Sequence, residues 1–359
     1  MRFHLPWVLA LIVAGLIVGP YGFAWLDMTP TLTFMADIGL VFLMFLAGLQ
    51  TKLSTFQRFE RDVGLVTLMN GVVPFATGYL IGYFFDYSLL SSLLLGTIFM
   101  SSSIAVVIPA LEQKGILQRK LGTTIVTATM VNDIASLVLL SVLLQTVDPI
   151  SALPLPSFYV LVVAILVGLR YVLPRIRALV PRFRNQKDLF ESEVRLIFAM
   201  LFGTVVLFEA LGLHAIIAGF FSGLVLSDSL TSEILLQKIY TIGYGIFIPV
   251  FFVSIGLTTD LSTVLASVTS VWLLLSVVIG SIGAKFVSGY FGALWGGFSR
   301  AESLFLAVAT TPQLSTTLAV VATATALELV PATLLSTMVI LSAVSTVIAP
   351  TAMRWLPVK

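Results

Sequence analysis

One acidic residue, Asp133, stands near the middle of a long apolar run, in the stretch Thr129-Met130-Val131-Asn132-Asp133-Ile134-Ala135-Ser136. A lone carboxylate at the centre of a bilayer costs roughly 2.5–3.5 kcal/mol on insertion scales. Protonation removes the charge, so the group can hold either a proton or a cation, which is the minimal element of exchange. Thr129 precedes Asp133 by one helical turn and shares its face, so its hydroxyl offers a second oxygen. Asn132 offers a neutral carbonyl oxygen. Hard cations prefer such ligands, and the metal expected at Asp133 is a monovalent cation. Lys285 is the basic residue left at depth, and its expected partner is Asp133, with bound cation competing for the carboxylate. A fixed structural ion pair is the competing reading. Asp37 and Glu209 fall nearer the ends of their runs, and His4 and His214 have no metal-ligand partner at useful spacing. No phosphate-binding glycine loop or catalytic triad spacing occurs, so neither an enzyme nor a cofactor is expected.

The elements that must position these groups follow from composition. Of 359 residues, 58% are apolar and 10% charged, with a mean hydropathy of +1.09. Soluble domains carry roughly 25% charged residues, so this chain cannot cover a water-facing surface. Soluble enzymes, disordered chains and nucleic-acid binders are excluded. With no cysteine, disulfide frameworks and thiolate chemistry are excluded as well. Hydrophobic runs fall at about 5–22, 30–50, 63–85, 90–111, 121–146, 157–174, 193–210, 213–227, 235–257, 265–295, 302–327 and 332–354. They are too long and too continuously apolar for barrel strands. The connections after runs 1, 3, 5, 9 and 11 hold Asp27, Asp86, Asp148, Asp260 and Glu328 and no Lys or Arg. The opposite connections and the termini hold Arg2, Lys52, Arg58, Arg61, Lys114, Arg119, Lys120, Arg175, Arg177, Arg182, Arg184, Lys187, Lys238, Arg300, Arg354 and Lys359. Basic residues mark the cytoplasmic face, which places both termini in the cytoplasm and supports a count of twelve spans.

A shift of 208 residues lays the chain on itself. Ala14-Gly15-Leu16-Ile17-Val18 falls on Ser222-Gly223-Leu224-Val225-Leu226, and Gly48–Ser54 falls on Gly256–Ser262 with five of seven positions identical. Spans 1 and 8 are seven apart, so the halves run in opposite directions, as in secondary transporters with midplane sites. The same shift sets Ser102-Ser103 of span 4 opposite Thr310-Thr311 of span 11, and each pair soon meets a proline, Pro109 or Pro312. Freed backbone groups at that depth are tolerated only around a polar cavity. Spans 4 and 11 are therefore expected to be a related pair of broken helices, with Ser102, Ser103, Thr310, Thr311, Pro312 and Gln313 lining the site. The plainer reading, close packing through small residues, holds for either segment alone.

With these features, the chain resembles the monovalent cation:proton antiporter-2 family, which includes bacterial sodium/proton antiporters and the membrane part of potassium efflux systems. The resemblance rests on Leu5-Pro6 with Ala14–Pro20, on Gly39–Leu49, on Gly212-Leu213-His214-Ala215 and on Ile248–Leu257, and it covers nearly the whole chain. It implies a sodium/proton antiporter-like fold over 1–359: all-α, about twelve transmembrane helices, inverted-topology repeats and two crossed broken helices. It further implies a dimerisation part (1–55 and 190–262), a core part (62–146 and 265–356) and a linker helix (157–187), with no cytosolic regulatory domain. Family roles fall on Asp133 as ion- and proton-binding carboxylate and on Lys285 as the basic residue of span 10. Asn132-Asp133 replaces the paired aspartates of many electrogenic members, which favours electroneutral exchange. Thr311-Pro312-Gln313-Leu314-Ser315 departs from the Arg-Gly-Glu or Gln-Gly-Glu of relatives.

The expectation is thus an antiporter of a bacterial inner membrane, exchanging Na+ or K+ (or Li+) for protons by alternating access. Its partners are those ions, membrane lipids and a second copy of the chain in a homodimer, and no nucleic acid. Two alternatives are a sodium-dependent organic-anion symporter of related fold and a cation channel.

Overall fold

The computed structural model describes residues 7–51, 61–147, 154–179, 192–227, 230 and 232–358, and among them every regular element is helical. Arg2, His4, Leu5, Pro6, Lys52, Arg58, Asp148, Arg182, Arg184, Lys187 and Lys359 lie outside the described residues, as does the end of the expected linker helix beyond residue 179. Each of the twelve hydrophobic runs coincides with one helix or with two in line. In order these are α1 (Trp7–Val18), α2 (Pro30–Gln50), α3 (Arg61–Phe84), the pair α4 (Leu89–Met100) and α5 (Ile104–Gln113), α6 (Lys120–Val147), α7 (Leu155–Leu179), α8 (Ser192–Ala210) and α9 (Ala215–Leu226). There follow α10 (Glu233–Ile242), which continues through a π-helical turn Gly243–Phe247 into α11 (Ile248–Thr258), a short α12 (Leu261–Leu265), α13 (Val268–Trp295), the pair α14 (Arg300–Ala309) and α15 (Ser315–Ala326), and α16 (Ala332–Trp355). Among the described residues eight stretches are long and apolar enough to cross a membrane, and Trp7–Val18, Ala215–Leu226 and Ser315–Ala326 are shorter apolar helices.

Local chemistry fixes many of the ends. Thr29 caps α2 by accepting from Leu32 N–H, with Pro30 in the first turn, a position where the missing donor costs nothing. Ser88, Ser232 and Ser267 cap α4, α10 and α13 in the same way. Ser299 and Glu302 form a reciprocal capping box on α14, which satisfies two donors that would otherwise be orphaned.

The repeat is visible in the helix bounds. A shift of 208 carries Trp7 and Val18, the ends of α1, onto Ala215 and Leu226, the ends of α9, and carries Gln50, the end of α2, onto Thr258, the end of α11. Its glycines have a reason. A Cβ on Gly48 would lie 2.1 Å from the Phe220 carbonyl oxygen and 3.0 Å from Gly223 Cα, and one on Gly223 would lie 2.1 Å from the Phe45 carbonyl oxygen. α2 and α9 thus cross backbone to backbone. The repeat-related pair behaves alike: a Cβ on Gly256 of α11 would lie 2.2 Å from the Ile12 carbonyl oxygen and 2.8 Å from Gly15 Cα in α1. Small residues permit such approach, and within a bilayer it is van der Waals contact that holds helices together.

The chain divides into two compact units, Met1–Asp27 with Arg58–Leu143 and Ile255–Lys359, and Met28–Gln57 with Leu144–Ser254. In the second, α2 packs on α9 and on the π-helical turn, where Phe42 stacks on Phe247 with ring centroids 5.1 Å apart. In the first, α3 runs along α13, α4 lies against α3, and α16 touches α5, α14 and α15. One end of that unit is closed by an apolar cluster that includes Val66, Leu111, Ile125, Phe305, Leu306 and Met353. At its rim Lys120 Nζ meets the buried Asp62 carboxylate at 2.9 Å, and Lys114 Nζ donates to the carbonyls of Arg354 and Leu356 at the end of α16.

Candidate functional site

Both expected breaks are present. The chain leaves helix at Ser101–Ser103, between α4 and α5, and at Thr310–Leu314, between α14 and α15. The first break falls at the serine run and not at Pro109, which lies inside α5. Pro312 lies within the second.

The two breaks cross. Ser102 Oγ donates to the Thr310 carbonyl at 2.9 Å, joining two residues exactly one repeat interval apart in the sequence alignment above. Ser103 N–H donates to the Pro312 carbonyl at 2.7 Å, and the Ser101 and Thr317 hydroxyls are 2.8 Å apart. α6 passes the crossing and presents Asp133, whose Oδ1 accepts from the backbone N–H of Ser102 at 3.2 Å. An unwound N–H just ahead of a half-helix N-terminus favours an anion, through a direct hydrogen bond and the helix dipole.

The opposite helix end is served by donors. The carbonyls of Ile98, Phe99 and Met100 close α4, and each takes a side-chain partner: Ser101 Oγ at 3.2 Å, Gln313 Nε2 at 3.1 Å and Lys285 Nζ, respectively. Lys285 is fully buried and also donates to the Asn70 carbonyl at 3.3 Å. Its cation therefore sits on the negative end of α4. Among the described residues no ion pair joins it to Asp133.

The remaining expected residues divide by what their polar atoms do. Thr129 Oγ1, Ser103 Oγ and Gln313 Oε1 are buried and have no hydrogen-bond partner. Thr310 and Thr311 turn their hydroxyls back onto their own helix, to the carbonyls of Leu306, Ala307 and Val308, so Thr310 contributes its carbonyl to the crossing instead. Asn132 is buried and faces α3, where a Cβ on Gly71 would come within 3.0 Å of its Oδ1.

Sequence reasoning passed over Asn70, Ser101, Ser288 and Ser345. Asn70 takes the second Lys285 bond and accepts from Ser288 Oγ at 3.4 Å. Ser345 of α16 accepts from Gln313 N–H at 3.1 Å. Asn70 was signalled by its type, an amide in an apolar run. The repeat pairs it with Val278, so symmetry does not flag it.

The crossing can thus bind a small cation through a carboxylate and neutral oxygens, or a proton at the carboxylate. Among the described residues no group of three or more His, Asp or Glu side chains could hold a metal ion.

Comparison with known proteins gives a consistent picture. A model of the transmembrane sodium/hydrogen exchanger family matches residues 1–359. The probable Na+/H+ antiporter 3 of Methanocaldococcus jannaschii is 30% identical over 357 residues, covering 97% of this chain and 90% of the relative. The Na+/H+ antiporter of Enterococcus hirae is 29% identical over 314 residues, 85% of this chain and 79% of its own length. Among solved structures, the sodium proton antiporter MjNhaP1 of Methanocaldococcus jannaschii at pH 8 superposes with a TM-score of 0.70 at 18% identity, covering 97% of this chain and 90% of that one. At that identity the likeness speaks to the fold.

Proposed function

Because this chain belongs to the transmembrane sodium/hydrogen exchanger family, we propose that it exchanges a monovalent cation for protons across a membrane, with Asp133 as the shared binding group. The relatives' names favour sodium as the cation. One observation carries the assignment of the site: the Asp133 carboxylate meets the N–H of Ser102 inside the crossing of two broken helices, beside buried oxygens of Thr129 and Ser103 that lack partners.

In this mechanism the ionised carboxylate, Thr129 Oγ1, Ser103 Oγ and carbonyls of the unwound segments replace part of the cation's hydration shell. A proton on Asp133 is the alternative occupant, so the two ions exclude each other. Either occupant offsets the carboxylate charge, and the occupied site can pass a low-dielectric barrier. The empty carboxylate is costly to move through that medium, and this restricts the cycle to exchange. One carboxylate at the crossing gives one cation per proton, hence electroneutral exchange. The distribution of basic residues supports cytoplasmic termini, and we place the protein in a bacterial inner membrane as a homodimer.

The test is reconstitution in pH-gradient liposomes with Na+, Li+ or K+ added outside, with and without a clamped membrane potential. Dissipation by Na+ that does not depend on voltage is expected. Asp133→Asn should abolish it while the purified variant elutes as the parent does. Full exchange by Asp133→Asn would refute the assignment.

A further inference from the structure

We infer that Gln313 is a positioning residue for Asp133: its side-chain amide ties the end of α4 to the α14–α15 break and so holds the Ser101–Ser103 segment whose N–H faces the carboxylate. The inference rests on the exchange at Asp133 proposed above.

The argument is a hydrogen-bond account of the break. In a continuous helix the Ile98 and Phe99 carbonyls would accept from the N–H groups of Ser102 and Ser103. Those donors are engaged elsewhere, by Asp133 and by the Pro312 carbonyl. The orphaned Phe99 carbonyl takes its replacement from Gln313 Nε2 at 3.1 Å, and Gln313 is the residue after Pro312. The two breaks therefore exchange donors: Ser103 N–H goes to one, and the Gln313 amide returns to the other. This fixes the amide's orientation as well, because a carbonyl only accepts and the nitrogen must face it.

Gln313 is itself held. It is fully buried, and its N–H donates to Ser345 Oγ of α16. Asparagine is one methylene shorter, and an ionised glutamate has no donor. The charged groups that face the crossing are Asp133 from α6 and Lys285 from α13, which serves the neighbouring Met100 carbonyl. α4 and α15 carry no charged residue, and α16 carries Arg354 in its last turn, α5 Glu112 near its end and α14 Arg300 and Glu302 in its first turn.

Releasing the Phe99 carbonyl loosens Ser101–Ser103 and weakens the Ser102 donation that favours the ionised carboxylate. Protons then compete at higher pH, so the cation needed for half-maximal exchange rises and the activity profile moves toward alkaline pH.

The experiment titrates Na+ against the full-length protein in pH-gradient liposomes at several pH values. Gln313→Ala should raise the half-saturating Na+ concentration about three- to tenfold, the consequence of one lost buried hydrogen bond, with little change in rate at saturation. Gln313→Glu keeps the shape and can donate only while protonated. Its half-saturation should approach the parent's at the acid end and that of Gln313→Ala at the alkaline end. A merely structural role would lower yield or maximal rate without such pH-conditional rescue. Parental half-saturation and pH profile in Gln313→Ala would overturn the inference, as would a Gln313→Glu variant shifted by the same factor at every pH. Asp133→Asn in the same vesicles separates the two failures. If that variant still exchanges, the antiport site itself is wrong; if it is dead while the Gln313 variants match the parent, only the positioning role falls.

Discussion

Adding one methyl group at Gly48 tests the helix crossing directly. In Gly48→Ala the new Cβ would lie 2.1 Å from the Phe220 carbonyl oxygen, 2.8 Å from Leu224 N and 3.0 Å from Gly223 Cα. Ordinary contact needs about 3.4 Å or more, so α2 and α9 must separate by about 1 Å. All three obstructing atoms belong to backbone, and none can turn aside as a side chain would. Such a gap forfeits a quarter to a half of each dispersion contact along the seam, and overpacking of this kind costs roughly 1–3 kcal/mol. The rigid partners put the expected value near 2 kcal/mol, or a fall of about 2–3 °C in Tm for a chain of 359 residues. Gly203 of α8 supplies the control, because it has open space where its Cβ would be. There the same substitution should stabilise by about 0.5–1 kcal/mol, through the entropy of the unfolded chain. The double variant Gly48→Ala with Gly223→Ala should cost less than the sum, since both methyl groups occupy the gap that either one opens. Thermal unfolding of purified protein in one detergent, followed by size-exclusion retention after heating, reads all four. Unchanged Tm in Gly48→Ala would refute the backbone crossing.

Two further outcomes follow from charge placement. Asp62 is 5% exposed and Lys120 64% exposed, so the partners of this ion pair are unequal. Lys120→Ala strands a buried carboxylate and should cost about 1–2 kcal/mol after allowance for solvent at the lysine. Asp62→Asn returns the ammonium to water and should cost less than about 0.5 kcal/mol; equal losses in Tm would contradict the arrangement. Lys285→Met removes the cation from the end of α4 while keeping its stem. If Lys285 acts as a cap, exchange in voltage-clamped liposomes should stay electroneutral, with a lower Tm. A change in voltage dependence would instead make Lys285 a proton carrier.

Much of this architecture was legible because it is periodic or repeated. Twelve apolar runs became twelve helical segments, and one offset found both Gly15–Gly223 and Gly48–Gly256 before any contact was known. The offset also paired Ser102 with Thr310, which meet through a hydrogen bond. What one sequence could not supply was direction. Thr310 and Thr311 read as lining the site, and their hydroxyls return to carbonyls three and four residues back, a local bond open to any Ser or Thr in a helix. Lys285 read as the partner of Asp133 because opposite charges at depth should meet. That argument omitted the backbone, and a half-helix that ends in the bilayer offers carbonyls that need a donor as much as a carboxylate does. Asn70 and Ser345 hold the site from α3 and α16, and no pattern along the chain brings those helices to it.

The same account of donors explains why the breaks suit a cation. Where two helices end inside an apolar medium, every freed N–H and carbonyl must find a partner. Here the freed donors of Ser102 and Ser103 go to Asp133 and Pro312, and the carbonyls of Ile98, Phe99 and Met100 are each met by a side chain. These freed groups are thereby met without water, and the oxygens left over beside Asp133 are Thr129 Oγ1 and Ser103 Oγ, next to a carboxylate with one oxygen engaged. An ammonium left over in their place would repel a cation. Hydroxyl and carboxylate oxygens around one ionisable acid suit a proton or a small cation, which is the chemistry that the exchange proposed at Asp133 requires.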